Sequence, residues 1–161
     1  MDWISLTKTV DSFEKERKIK MDVKNWLDEN NVPMNGEQVD VGAWAKTLGY
    51  EVVGNELRRS NSEERAVSVS PGYGAGWSTW NELSPLDPVA NLIFLTMGDD
   101  KDGELFHSIY CFVTGRDSDE YLCTLGAKNV YVEWVGVSRK FKVIEYDGSE
   151  SIEYANGGGW L

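Results

Sequence analysis

The dipeptide Asp147-Gly148 constrains the fold of this chain more than any other feature. It stands between two runs of six residues, Phe141–Tyr146 and Ser149–Tyr154. A two-residue hairpin turn of the I′ type needs positive φ at both central residues, and Asp-Gly supplies this at little cost. The turn fixes the register. Tyr146 pairs with Ser149, Val143 faces Ile152 and Phe141 faces Tyr154 on one face, while Lys142 faces Glu153 on the other. One pair fits badly: Glu145 falls opposite Glu150 near the tip. Two carboxylates directly opposed repel, so both are expected to be exposed and splayed apart, with a bridging metal disfavoured.

Upstream, Val130, Val132 and Trp134 alternate and predict a strand, as do Val67 and Val69 within Arg65–Ser70. Asp87-Pro88 predicts a helix start, with proline in the first turn and Val89, Leu92, Ile93 and Phe94 on the helix up to Gly98. Leu105–Thr114 is ambiguous between helix and strand. At the other end of the chain, Asp11-Ser12-Phe13-Glu14 reads as a helix cap followed by a charged helix with an apolar stripe at Ile19, Val23, Trp26 and Leu27. Asn30-Asn31 and Pro33 stop it. Asp40 caps a shorter helix carrying Val41, Trp44, Ala45 and Leu48, which Gly49 ends. Gly54-Asn55 between Tyr50–Val53 and Glu56–Arg59 predicts a second hairpin. The expected fold class is α+β: N-terminal helices plus a small, mostly antiparallel sheet ending in a C-terminal hairpin. The 161 residues suit one domain, with a helical subregion at 1–60 and an acidic α+β region at 61–161.

Charge divides the chain along the same line. The net charge is −11; residues 1–60 hold nine Lys/Arg against eleven Asp/Glu, and residues 61–161 hold seven against sixteen. A negative field repels nucleic-acid phosphates and anionic membranes, so direct nucleic-acid binding is disfavoured and a partner with a basic surface is favoured. The plainer account is that acidity keeps a small protein soluble. Helix, short helix and hairpin in residues 1–60 faintly resemble a winged helix-turn-helix, but no recognition helix follows and the segment is not net basic. The N-terminus lacks the basic and apolar regions of a signal peptide, and no apolar run approaches a membrane span of about 18 residues. Cytoplasm is the expected compartment, where Cys111 and Cys123 stay reduced.

Catalytic chemistry has little to work with. His107 is the only histidine. On a helix it would share a face with Cys111, but structural zinc wants four N/S ligands and the chain offers three candidates, His107, Cys111 and Cys123. No metal and no cofactor is expected, and the chain reads as a non-enzyme more readily than an enzyme. Gly98–Glu104 invites a calcium reading, yet with Gly103 as the loop glycine the first and last ligand positions fall on Gly98 and Ile109, neither a carboxylate.

The most unusual segment is Pro71–Glu82, with glycines at 72, 74 and 76 interleaved with or followed by Tyr73, Trp77 and Trp80. Glycines there let the backbone turn N–H groups onto an anion, as phosphate loops do, although the Gly-Lys-Ser/Thr ending of a P-loop is absent. Gly72, Tyr73, Gly74, Gly76, Trp77, Trp80 and Asn81 are the candidate binding residues. The structural alternative is a buried loop whose rings plug the core. A second candidate surface is acidic: Asp99, Asp100, Asp102, Glu104, Asp117, Asp119 and Glu120.

The segments PGYGAGWSTWN (Pro71 to Asn81), VEWV (Val132 to Val135) and KFKVIEYDGSESI (Lys140 to Ile152) together resemble a family of uncharacterised bacteriophage proteins. The resemblance covers the second half of the chain, from about Val67, and transfers no catalytic residue. It implies a phage-encoded accessory protein active in the infected bacterial cell. The resulting expectation is a non-catalytic binder of a host protein, of the kind that inhibits a nucleic-acid-directed defence system (anti-CRISPR or anti-restriction), as monomer or homodimer. The alternatives are a nucleotide or small-molecule binder, or an enzyme, built on Gly72–Asn81, and a weak DNA-binding module in 1–60.

Overall fold

The computed structural model describes residues 3–72, 76–81, 83–117 and 127–155, with side chains from residue 9 onward. The chain divides into two compact units, residues 1–32 and 33–161. The first is a single helix, α1 (Trp3–Glu29). It begins well before the predicted cap at Asp11, because nothing from Trp3 to Val10 breaks a helix: neither glycine nor proline occurs there. The predicted stripe is present in its last turns, where Val23 and Leu27 are buried and Ile19 is 39% exposed. The Lys20–Glu16 pair forms at 3.5 Å. Asn31 takes a positive φ of 52°, and the Val32 N–H donates to the Leu27 carbonyl, closing the end.

The second unit is an α+β fold. A short hairpin of β1 (Met34–Asn35) and β2 (Gln38–Val39) leads into α2 (Val41–Thr47), where the Asp40 carboxylate accepts from Ala43 N–H at 3.0 Å. Strands β3 (Tyr50–Val53), β4 (Glu56–Arg59), β5 (Glu64–Val69) and β6 (Tyr131–Gly136) form one antiparallel sheet in that order. Between β5 and β6 lie α3 (Ser78–Asn81), α4 (Pro88–Met97), α5 (Gly103–Thr114) and a 3-10 turn at Ala127–Asn129. Asp87 and Asp102 cap α4 and α5. The ambiguous 105–114 segment is therefore a helix, and Phe106, Ile109 and Tyr110 are its buried face. The C-terminal hairpin, β7 (Phe141–Tyr146) and β8 (Ser149–Tyr154), has the register that Asp147-Gly148 dictates, including Glu145 opposite Glu150.

These elements make three layers. On one sheet face Val67, Val69 and Val135 pack against Phe141, Val143, Ile152 and Tyr154 of the hairpin. On the other, Ser68 meets the Trp77 ring, which stands edge-on to Phe94 of α4 at 5.0 Å and to Phe106 of α5 at 4.9 Å. Phe94 and Phe106 are stacked at 4.4 Å. The division at residue 33 groups α2 and the β3–β4 hairpin with the sheet.

The hairpin layer carries an alkaline signature. Tyr154 donates its hydroxyl to Glu133 Oε1 at 2.5 Å. Burial and the neighbouring Glu133 carboxylate together push the phenol up to about 12. Tyr110, buried and donating to Asp87 Oδ2 at 2.8 Å, is likewise raised, by burial and the Asp87 carboxylate. A phenol whose folded pKa exceeds its unfolded value of about 10 contributes stability that is complete below pH 10 and is lost as pH rises through the folded pKa. Thermal stability is thus expected to fall between pH 10 and about 12, and Tyr154→Phe is expected to reduce that fall while lowering stability near neutrality. Melting temperatures across this range, with tyrosinate absorbance, check it; an unchanged alkaline slope in the variant would contradict it.

Candidate functional site

The glycine–Trp segment begins where β5 ends and returns to the sheet through α3. Its centre of order is Glu150. Hairpin alternation puts this side chain on the face of Ile152 and Tyr154, towards the sheet, and Glu150 is 1% exposed. Its carboxylate is not orphaned. Oε1 accepts from Ser70 N–H at 3.1 Å, and Oε2 accepts from Thr79 N–H at 2.9 Å, from Thr79 Oγ1 at 2.6 Å and from Ser78 Oγ at 3.4 Å. Glu150 N–H in turn donates to the Ser70 carbonyl at 2.7 Å, and Ser149 Oγ donates to the Pro71 carbonyl at 2.8 Å. A buried carboxylate without a cation is costly unless several donors meet it, and backbone N–H groups are the donors that need no side-chain ordering. The expectation that Glu145 and Glu150 are both exposed is corrected accordingly: Glu145 is exposed and accepts the Gly148 N–H of its own turn, while Glu150 turns inward.

The Ser70 and Thr79 N–H groups on either side of the glycines are thus given to the chain's own carboxylate. The remaining candidates divide around this lock. Trp77 is fully buried and its Nε1–H donates to Ser68 Oγ at 3.1 Å, so it is a core ring and offers no surface to a ligand. Asn81 holds the Trp77 carbonyl through Nδ2 at 2.9 Å. At Gly72 a Cβ would lie 2.9 Å from Asn129 Nδ2, and at Gly76 2.6 Å from the Trp80 ring. A side chain at Gly76 would have to displace the Trp80 ring, whereas one at Gly72 would displace only the end of the Asn129 side chain. Trp80, laid over Gly76, remains 44% exposed. Tyr73 and Gly74 lie outside the described residues.

Two further exposed rings, which no sequence motif singles out, belong to the strands that hold the lock. Tyr131, 42% exposed, pairs with Val69, next to Ser70; Tyr146, 78% exposed, pairs with Ser149, next to Glu150. Trp80 itself follows Thr79. Each ring is therefore anchored one residue from a group bonded to, or belonging to, Glu150.

The acidic candidates separate. Asp99, Asp100 and Glu104 are exposed around the α4–α5 turn, and Asp102 is spent as the α5 cap, accepting from Leu105 N–H at 3.0 Å. Asp117 follows the far end of α5, twelve residues long, roughly 18 Å away at 1.5 Å per residue. Asp119 and Glu120 lie outside the described residues. His107 and Cys111 share a face of α5, but Cys111 is buried with its thiol 3.9 Å from the Asp117 carbonyl, and His107 Nε2 is buried without a hydrogen-bond partner. Cys123 lies outside the described residues. Among the described residues no group of three or more His, Cys, Asp or Glu side chains is placed to hold a metal ion, and no helix is long and apolar enough to cross a membrane.

Comparison with protein-family models, curated proteins and solved structures finds no match to this chain.

Proposed function

We propose that the chain is a non-catalytic, phage-encoded accessory protein of the infected bacterial cytoplasm that binds a host protein, as an inhibitor of a nucleic-acid-directed defence enzyme does. The observation that carries this reading is the Glu150 lock. It takes up the Ser70 and Thr79 N–H groups that flank the glycines, and it ties down α3, which leaves the Trp80 ring in solvent. Exposed aromatic rings on a rigid base are the usual anchors of protein interfaces. The surplus of carboxylates in residues 61–161 favours a basic partner surface, of the kind that handles phosphates. A nucleotide held by the Ser70 and Thr79 N–H groups would have to displace Glu150, which weighs against that form of the alternative.

The test compares the wild-type chain with Trp80→Ala/Tyr146→Ala as bait in a bacterial host lysate, followed by affinity measurement on the captured protein. The double variant is expected to weaken binding at least about tenfold, in line with the loss of anchor rings. Neutralising Asp99, Asp100 and Glu104 together is expected to flatten the salt dependence. A captured partner held equally well by both variants, with unchanged salt dependence, would overturn the reading.

A further inference from the structure

The short hairpin ahead of α2 turns on Gly36-Glu37. Asn35 pairs with Gln38 and Met34 with Val39, and the Asp40 N–H donates to the Pro33 carbonyl at 2.9 Å, which closes the ladder. Asn35 and Gly36 are both exposed. Gly36 takes a positive φ of 64°, and a Cβ there would meet nothing within 4 Å. Among the described residues no acceptor takes the Gly36 N–H, and the Asn35 side-chain amide makes no hydrogen bond. An asparagine followed by a glycine whose nitrogen is free is a reactive pair, because without a Cβ that nitrogen can approach the asparagine Cγ. At other asparagines the nitrogen that follows is held. Asn31 N–H, after Asn30, donates to the Asp28 carbonyl at 3.2 Å. Ser62 N–H, after Asn61, donates to the Arg59 carbonyl at 3.3 Å, and Val130 N–H, after Asn129, to the Ala127 carbonyl at 3.3 Å. In the Asp147-Gly148 turn the Gly148 N–H is held by the Glu145 carboxylate.

We infer that Asn35-Gly36 is a site of spontaneous covalent modification, deamidation through a cyclic imide. The Gly36 nitrogen attacks Asn35 Cγ. The N–Cγ bond forms, the Cγ–Nδ2 bond breaks, and Nδ2 leaves as ammonia with the proton given up by the Gly36 N–H. Water then opens the imide at one of its two carbonyls, which leaves aspartate or isoaspartate; nothing is oxidised or reduced. Either product adds a carboxylate beside Glu37. Isoaspartate also lengthens the main chain by one methylene inside a two-residue turn, where the register depends on loop length. The Met34–Val39 and Asn35–Gln38 pairs and the Asp40–Pro33 bond then cannot all be kept. Asp40 is the residue that caps α2, so the change of charge and backbone falls at the entry to that helix. This inference does not rest on the function proposed above, which concerns a different set of residues.

The test incubates the full wild-type chain in warm, mildly alkaline buffer, folded in one arm and unfolded in urea in the other. Peptide mapping by mass spectrometry follows each asparagine, and enzymatic methylation of the freed α-carboxylate identifies isoaspartate. The other Asn-Gly pair, at 156–157, lies outside the described residues and is mapped as a separate peptide. In the folded chain Asn35 is expected to convert to a mixture of aspartate and isoaspartate at least about tenfold faster than Asn30, Asn61 or Asn129, a gap in barrier of about 1.4 kcal/mol. Unfolding is expected to change the Asn35 rate by less than about tenfold, since its turn already leaves the nitrogen free. Asp147 is expected to stay aspartate while folded and to isomerise in urea, once Glu145 releases the Gly148 N–H. Asn35→Gln, whose longer side chain closes a ring less readily, is expected to fold and to stop the reaction at this position. An Asn35 that survives in the folded chain as long as Asn61 would overturn the inference. So would an Asn35 that reacts only after unfolding.

Discussion

Glu150→Ala is expected to lower the stability of the second unit by about 3 kcal/mol, because the buried Ser70 N–H and the partly buried Thr79 N–H lose their acceptor, at about 1–3 kcal/mol for a fully buried group. For a chain of this size that corresponds to a fall in melting temperature of roughly 6–12 °C. Glu150→Gln keeps the shape and one acceptor oxygen but turns an amide towards donors, so its effect is expected to be intermediate. The order Glu, Gln, Ala distinguishes a carboxylate that ties segments together from one that is merely tolerated. The substitutions sit about 80 residues in sequence from the loop they release, so exchange of the amides at Ser70, Trp77 and Thr79 should accelerate with stability loss. If Glu150→Ala melted with the wild type, the hydrogen bonds at Glu150 would have no net worth.

Trp77→Ala is expected to cost more, about 3–5 kcal/mol, the range for removing a large aromatic ring from a core. The ring is fully buried and is the piece that joins Ser68 of the sheet to Phe94 of α4 and Phe106 of α5. Against a total of about 5–15 kcal/mol for a domain, such a loss brings the unit near unfolding. Trp77→Phe keeps part of the edge-on contact and leaves the Ser68 hydroxyl without its indole donor, so a loss of about 1–2 kcal/mol is expected. Denaturant unfolding measures both. A Trp77→Ala protein within about 1 kcal/mol of the wild type would contradict the core assignment.

Much of the fold was legible because local chemistry determined it. Asp147-Gly148 set the hairpin register residue by residue, Gly54-Asn55 set the other, and Asp40 and Asp87 marked helix starts that tertiary contacts did not move. The Leu105–Thr114 segment was undecided only because its apolar run suits both periods; the Asp102 cap, read together with Phe106 and Tyr110, points to helix. The start of α1 was misread because a good cap sequence at Asp11 can lie inside a helix when nothing upstream breaks it.

The candidate site was legible as a place and not as a mechanism. The segment after β5 was singled out by its glycines and rings, but whether Trp77 or Trp80 faces solvent depends on what lies opposite in space. Glu150 had a signal that alternation alone provides. It shares a hairpin face with Ile152 and Tyr154, and a carboxylate on an apolar face must find donors. Nothing in the sequence said those donors would be Ser70, Ser78 and Thr79. The Tyr146 ring shares the outward hairpin face with Lys142 and Ile144, so alternation accounts for its exposure; no motif marks Tyr131.

The central claim is that the Ser70 and Thr79 N–H groups flanking the glycines are taken by the chain's own carboxylate and are closed to an outside anion. Amide resonances of Ser70 and Thr79, followed during titration with inorganic phosphate in the wild type and in Glu150→Gln, test this most directly. The account predicts slow exchange and no phosphate-dependent shift at either amide in the wild type, with both amides moving when Glu150 is replaced. Wild-type amides that exchange freely, or that shift saturably with phosphate, would contradict it.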